Sequence, residues 1–598
     1  MPEGLPECII SAQLDRILAS TLFVNSERLS RLLRFAVQSV TEGKADQLKE
    51  YSLALSVFDK RDSFDPRFDP IVRVEAGRLR NRLKQYYETD GRADPVIIDL
   101  PKGTYVPRFA SAAPAGENAV KEMPGKTQTY NPNWIAVLPF ADHSPGADQE
   151  YFCDGMTEEL INALTKLRGL RVAAWTSALR LRGETHDFRK IAEQLKVGTI
   201  VAGSVRKAGG RLRITVQLID TSDGCYLWSE IYDRQLKDVF AIQEDISQAI
   251  VAMLKVQIAD GQSKHLVRRY TDNVDAYTLY LKGRYCWNQR SEQSLRKGIE
   301  FFEQAITLDT RYAQAFSGLA DSYALLGNSG AVPPKNVKAK AMYAALRAVA
   351  LDATLAEAHA TLGHVRATYC WDWQSACAEY MAGMALNPAY ATVHHWYAIT
   401  YLAPLGLLEN ALVEMQRAEE LDPLSVSIKR DIAVVLYNSR RFESAIAQCK
   451  KAIDLEPTFQ STYWALGLAY EGLFQYAEAV AAFEHPFKGS LPDTPRLLGS
   501  LGHAYALWQK RAEAETVLGK MTELSQTRYV PPFDFALVHL GLGQRDTAFE
   551  YLEQAYKMRS YDLVSINVDP RFDEIHSDPR FAKLLKRLGL ETSLTVAV

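Results

Sequence analysis

The sequence predicts a multidomain, mainly α chain: a small helical head closed by a hairpin, then an α/β unit, then a long α-solenoid. Three observations predict it. Ala376, Ala411, Ala445, Ala479, Ala514 and Ala548 follow one another at steps of 35, 34, 34, 35 and 34 residues, the period of stacked helix-turn-helix units. Upstream, Arg211 to Asp220 alternates polar and apolar residues, as a half-buried strand does. Nearer the start, a basic helical stretch runs directly into two short apolar segments flanking a Pro/Gly turn.

The bulk numbers agree with several domains. At 598 residues the chain exceeds what one hydrophobic core supports. Its 47% hydrophobic and 24% charged residues are those of an ordinary globular protein, and the formal net charge of −3 means that any basic patch is local. Met1 to Ile10 lacks a basic region followed by a long apolar run, and no window offers roughly 18–20 uninterrupted apolar residues. We therefore expect a cytoplasmic, soluble protein with no membrane partner. Seven cysteines lie scattered from Cys8 to Cys449 without a C-x-x-C pair, which predicts reduced, mostly buried thiols and no structural zinc. No cofactor or metal is expected.

The head spans residues 1–109. Leu14, Ile17 and Leu18, then Leu29, Leu32, Leu33, Phe35, Ala36 and Val40, recur at helical steps and predict two amphipathic helices, with Ser26 capping the second. A third helix is expected over 49–58, and the Asp/Pro-rich link 62–70 then delivers the chain to a fourth, Ile71 to Tyr87. That helix places Val72, Ala76, Leu79, Leu83 and Tyr86 on one side. Arg73, Arg80, Asn81 and Lys84 fall on a common outward arc, with Arg78 and Arg82 on the opposite flank. Five bases against the single acid Glu75 make this helix locally cationic. Val96–Leu100 and Thr104–Phe109, joined through Pro101-Lys102-Gly103, predict a β-hairpin, so that basic helix and hairpin together have the layout of a winged helix.

The run Arg73-Val74-Glu75-Ala76-Gly77-Arg78-Leu79-Arg80-Asn81-Arg82-Leu83-Lys84, followed by Ile97-Ile98-Asp99-Leu100-Pro101-Lys102-Gly103-Thr104-Tyr105, resembles the recognition helix and wing of OmpR-type output domains. The resemblance implies a helix in the major groove of double-stranded DNA and a hairpin at the adjacent minor groove. Arg and Lys neutralise phosphates, and Arg also reads guanine edges. The candidate DNA contacts are Arg73, Arg80 and Lys84, with Lys102 at the wing tip and Arg78, Asn81 and Arg82 completing the set. The Asp-rich loop and Pro101 depart from the family pattern.

Residues 110–133, rich in Ala, Gly and Pro, read as a flexible linker. The α/β unit covers 134–260. Ile135 to Phe140 suits a buried strand, 157–167 a helix, 170–175 a strand, 188–195 a helix and 199–206 a strand. Gly209-Gly210 turns that last strand into 211–220, and 239–256 closes the unit as a helix. Asp154-Gly155-Met156-Thr157 is expected at a helix start, where Asp154 or Thr157 caps the free N–H groups; the alternative is an anion site on those donors. The segments Ile135–Phe140, Asp154–Leu160, Gly203–Arg206, Val216–Asp220 and Leu227–Arg234 resemble the TolB-like domain that precedes repeat arrays in bacterial proteins. The resemblance brings no established chemistry. No G-x-x-x-x-G-K-[ST] or G-x-G-x-x-G fingerprint is present.

The array, 271–560, resembles the tetratricopeptide repeat. Tyr463, Leu466, Gly467, Tyr470, Tyr476, Ala479 and Phe483 take successive places of the pattern, and Phe316, Leu319, Ala320 and Tyr323 open an earlier copy. Eight repeats are expected, the fourth weakened where Ala403-Pro404 interrupts its first helix. Small residues let the two helices of a repeat approach closely. His359/His364 and His394-His395 carry no metal motif and read as packing or surface residues, Trp371 and Trp373 as inter-helix packing. Asp569-Pro570-Arg571-Phe572 and Asp578-Pro579-Arg580-Phe581 open a C-terminal cap over 561–598.

These readings predict a non-enzymatic regulator or signalling scaffold that binds DNA through the head and a protein or peptide in the repeat groove. The first alternative is a protein-interaction scaffold without DNA binding. The second is a component related to nucleotide-cyclase-linked signalling proteins but lacking a catalytic domain. The stretch upstream of the α/β unit lacks paired metal-binding aspartates on strands with room for a cyclase fold.

Overall fold

The computed structural model describes residues 7–58, 71–111, 130–254, 269–485 and 494–591, apart from 21, 25, 93, 102, 166, 168 and 184–187. The Asp/Pro-rich link and residues 112–129 of the expected linker lie outside the described residues. The chain divides into two compact units, 1–127 and 128–598. Among the described residues, no helix is long and apolar enough to cross a membrane.

The first unit holds α1 (Glu7–Ala19), α2 (Glu27–Thr41), α3 (Glu50–Phe58) and α4 (Ile71–Glu88), then β1 (Val96–Asp99) and β2 (Arg108–Ser111). Val72, Ala76, Leu79, Leu83 and Tyr86 of α4 are all buried against Leu14, Ile17, Leu32, Leu33 and Leu53, as their helical spacing requires. Two details differ from expectation. Ser26 makes no side-chain cap to α2; its hydroxyl faces Arg82 instead. The second strand begins at Arg108, since Val96 pairs with Ser111 and Asp99 with Arg108. The paired strands thus stop at Asp99 and resume at Arg108, and between them the carbonyls of Leu100, Pro101 and Thr104 face α4.

In the second unit, β3 (Trp134–Val137), β4 (Ala141–Asp142), α5 (Glu150–Thr165), β5 (Arg171–Val172), α6 (Trp175–Arg180), α7 (Phe188–Leu195), β6 (Thr199–Ala208), β7 (Arg211–Asp220), β8 (Tyr226–Gln235) and α8 (Val239–Met253) build one mixed sheet. Its order is β5-β3-β6-β7-β8, parallel between β3 and its neighbours and antiparallel from β6 onward. Adjacent residues point to opposite faces. Ile135, Val137, Val201 and Leu218 pack with α5 and α8, while Ala136, Leu138, Ile200 and Ile219 pack with α7.

Eight helix pairs follow among the described residues: α9 (Val274–Asn288) and α10 (Glu292–Leu308); α11 (Ala313–Asn328) and α12 (Pro334–Leu351); α13 (Ala356–Val365) and α14 (Trp373–Leu386); α15 (Ala391–Tyr397) and α16 (Leu408–Leu421); α17 (Val426–Asn438) and α18 (Phe442–Leu455); α19 (Gln460–Gly472) and α20 (Tyr476–Glu484); α21 (Pro495–Leu507) and α22 (Arg511–Ser525); α23 (Pro532–Gly541) and α24 (Arg545–Met558). The six alanines of the ladder sit in the second helices and are fully buried. A Cβ on Gly467 would lie 2.3 Å from the Phe483 ring, so the absence of a side chain sets the approach of α19 and α20. The first helices of the third and fourth pairs each end in a π turn, at Arg366–Cys370 and Ala398–Leu402. Ala403-Pro404 thus follows a widened turn rather than breaking the pair.

The C-terminal segment, ending in α25 (Pro579–Leu588), does more than cover the last repeat. Phe572, Phe581, Leu584 and Leu588 are buried in one cluster with Trp373, Met415 and Ile428. Trp373 donates its indole N–H to the Leu588 carbonyl at 2.8 Å, and Arg440 pairs with Asp573 at 2.6 Å. Trp371 and Trp373 therefore pack against the far end of the chain. Cys153 and Cys449 are buried, and Cys225, Cys286, Cys370 and Cys377 are half-buried.

Candidate functional site

Helix α4 divides its basic side chains between scaffold and surface. Arg80 donates to the carbonyls of Leu100 (2.8 Å), Pro101 (3.3 Å) and Thr104 (2.8 Å). It is stapled to the loop between β1 and β2. Arg82, on the opposite flank, donates to the Leu22 carbonyl and to Ser26 Oγ, tying α4 to the turn before α2. Arg73, Arg78, Asn81 and Lys84 are exposed. Arg73 pairs with Glu50 at 2.7 Å and Arg78 with Glu75 at 2.9 Å. Lys102 lies outside the described residues. The structure thus leaves Arg73, Arg78, Asn81 and Lys84 exposed on α4 and withdraws Arg80 and Arg82 into tertiary contacts. Arg108 at the start of β2 and Arg34 on α2 are also exposed; the sequence reading missed both because neither belongs to a dense basic run.

In the α/β unit, Asp154 and Thr157 do not stand at a helix start. α5 begins at Glu150, so both lie inside it and are buried. Thr157 Oγ1 donates to the Cys153 carbonyl at 2.8 Å and accepts from Phe140 N at 3.2 Å, and Asp154 pairs with Arg182. Neither a cap nor an anion site exists there.

The α/β unit docks along the edge where the first helices of the repeats begin. At Asp309, Asp352 and Asn387 the side chain accepts from the backbone N–H two residues on, at 3.0, 2.9 and 3.1 Å, the usual Asx-turn bond. At Asp422 a hydroxyl from α6 replaces that bond. Ser177 Oγ donates to Asp422 and accepts from Leu424 N at 2.8 Å, while Thr176 donates to the other carboxylate oxygen. Leu424 is buried among Ala136, Leu138 and Leu181. Arg180 pairs with Glu456, and the Arg171 guanidinium donates to the Glu420 carbonyl at 2.6 Å. Further back, α5 packs on α9 so closely that a Cβ on Gly155 would lie 2.4 Å from Leu281. Glu158 there pairs with Arg284.

The histidines are held by hydrogen bonds. His359 contacts Glu379 at 2.7 Å and the Ala353 carbonyl at 3.0 Å. One repeat on, His394 contacts Glu414 at 2.6 Å and the Pro388 carbonyl at 3.1 Å. The two sites are equivalent positions that brace the second helix and the preceding turn. Among the described residues, no group of three or more His, Cys, Asp or Glu could hold a metal ion.

Comparison with known proteins finds two module types. Residues 131–253 match the second domain of HilA/YgeH-like transcriptional regulators. Residues 460–485 match the tetratricopeptide repeat. A putative adenylate cyclase 3 of Rhizobium meliloti (strain 1021) is 37% identical over 186 residues, 31% of this chain and 32% of that protein. The transcriptional regulator HilA of Salmonella typhimurium is 21% identical over 301 residues, 48% of this chain and 51% of the regulator. The chain thus spans a third to a half of the length of these curated relatives. Similar solved structures include YrrB, a tetratricopeptide repeat protein with an unusual peptide-binding site (19% identity, 33% of this chain and 95% of that one, TM-score 0.24). A tetratricopeptide repeat protein from Parabacteroides merdae is 14% identical over 45% of this chain and 100% of its own, with a TM-score of 0.33. The chain combines a domain similar to the second domain of HilA/YgeH-like transcriptional regulators with tetratricopeptide repeats.

Proposed function

We propose that this protein is a non-enzymatic, DNA-binding regulator whose head, residues 1–109, is an OmpR-type winged helix. A linker over 110–133 joins it to a docking unit made of the α/β domain (134–260), the repeats (271–560) and the cap (561–598), which engages a protein partner. The observation that carries this reading is the exposed side of α4. Arg73, Arg78, Asn81 and Lys84 are exposed, Arg73 and Arg78 within ion pairs that phosphates would compete for, while Arg80 fixes the adjoining loop against the helix. The transcriptional-regulator match over 131–253 supports the same class. Arg80 and Arg82 then act by positioning, and Lys102 joins the contacts from the loop.

The test is fluorescence anisotropy of the full chain with duplex DNA between about 50 and 200 mM salt, where each phosphate contact adds about −0.9 to the log–log slope. Replacing Arg73 and Lys84 together by Glu is expected to weaken binding at least tenfold and flatten the slope by about two. Salt-independent retention of DNA, or none at all by the parent chain, would overturn the proposal in favour of a pure interaction scaffold.

A further inference from the structure

A polar pocket opens at the junction between α5 and the first repeats. We propose that it binds a small organic cation of the amine class. Glu158 comes from α5, Arg284 from α9, Asp321 from α11 and Glu357 from α13, and the Tyr280 and Tyr390 rings stand in the wall. Three carboxylates of the lining face the Arg284 guanidinium, and the buried Arg290 acts on Glu158 and Asp321 from outside the lining, which leaves one carboxylate in surplus. Glu158 is committed to Arg284, and Asp321 lies 3.9 Å from the same guanidinium and accepts from the Thr361 hydroxyl. Glu357 Oε2 is buried without a hydrogen-bond partner. Ser317, 4% exposed, also lines the pocket, and its hydroxyl has no partner.

Buried polar atoms are nearly always satisfied, and each orphan needs an explanation. An ammonium supplies what these two acceptors lack: donors for Glu357 and Ser317 and a positive charge for the surplus carboxylate. Arg284 Nε is a further buried atom without a hydrogen-bond partner, and the charge of that guanidinium is met by Glu158 and Asp321. A carboxylate or phosphate would meet the same acids with like charge. Desolvation, and then the nearby Glu357, hold the Asp321 carboxyl up at about 6, against the opposing pull of Thr361, Arg284 and Arg290. A bound cation favours its ionised form, so affinity tightens from pH 5 to pH 8. Glu158 on α5 and Tyr390 at the start of α15 also face this pocket.

An ammonium of this kind is carried either by a free diamine or by a lysine side chain of a peptide. Isothermal titration calorimetry on the full chain with 1,4-diaminobutane, with the tripeptide Gly-Lys-Gly and with acetate separates these sources and tests the charge. We expect saturable binding of the diamine or the peptide, none of acetate, and at least a tenfold loss in Glu357→Gln. Asn162→Ala, on the α5 side of the pocket, is a second variant should the first lower the melting temperature. Glu409→Gln, exposed and paired with Arg441 outside the pocket, should bind as the parent does. No saturable heat from either ammonium up to about 10 mM, binding unchanged in both pocket variants, or acetate binding as tightly as the amines would overturn the assignment. None of these readouts depends on DNA.

Discussion

A methyl group on Gly467 would lie 2.3 Å from Phe483 Cε1, and Phe483 is fully buried. The ring has nowhere to move, so Gly467→Ala must push α19 from α20. Overpacking of this kind costs about 1–3 kcal/mol, and urea denaturation of the full chain should show that loss; an unchanged midpoint would mean that the helix pair has slack. Asp534 makes a different residue-level prediction. Its carboxyl is buried, and desolvation followed by the charge of Asp562 pushes it up to about 8, against the opposing pull of Arg496 and Arg571. The folded chain therefore holds a proton that the unfolded chain releases near pH 4. Between those values the folded state binds more protons, so this residue's contribution to stability falls as pH rises from about 4 to 8. Asp534→Asn should flatten that part of the pH profile of the melting temperature, and an unchanged slope would remove Asp534 as its source.

Helix α6 is six residues long, too short to hold itself by propensity, and its place is set by the turn it grips. Ser177→Ala removes the hydroxyl that bridges Asp422 and Leu424 N. Leaving buried groups unpaired costs about 1–3 kcal/mol, and reclosure of the local Asx turn should keep the loss near the low end. Hydrogen exchange should rise at Trp175–Arg180 and at Leu424 while β6 and β7 stay protected; equal protection everywhere would show that Ser177 holds nothing. No sequence pattern marks this contact, because Asp422 fits the repeat's turn as well as Asp309 does. The alanine ladder was legible because burial repeats at the helical-pair period, and β7 because Leu212 to Leu218 alternate. β8 was not: only Tyr232 of its ten residues is buried, so a half-exposed edge strand leaves no alternation to read. The same limit applied to α4. Its exposed arc could be drawn from the sequence, but the turning of Arg80 onto three carbonyls depends on a loop that starts its second strand at Arg108, a register that no local pattern specifies.

A solenoid whose repeats touch only their neighbours unfolds from its ends, and a lesion in the last repeat weakens mainly the repeats beside it. This array is closed on itself. Phe572 and Phe581 are buried in the same cluster as Trp373, Ala411, Met415 and Ile428, and Asp569 receives the Tyr437 hydroxyl at 3.2 Å. Arg496 reaches the Asn328 carbonyl at 3.3 Å from the seventh pair. Such contacts give long-range cooperativity that a one-dimensional stack lacks. A partner peptide that used the surface around Trp373 and Met415 would have to displace the chain's own C-terminal segment. Phe572→Ala deletes a fully buried ring, at a typical cost of about 3–5 kcal/mol. If the closure is cooperative, hydrogen exchange should quicken not only around Pro570–Ile575 but also at α16, some 150 residues earlier in the chain, and the second unit should unfold in one transition that shifts as a whole. Loss of protection confined to α24 and α25 would show instead that the array behaves as an ordinary open stack and that its middle repeats are stable without the segment packed on them.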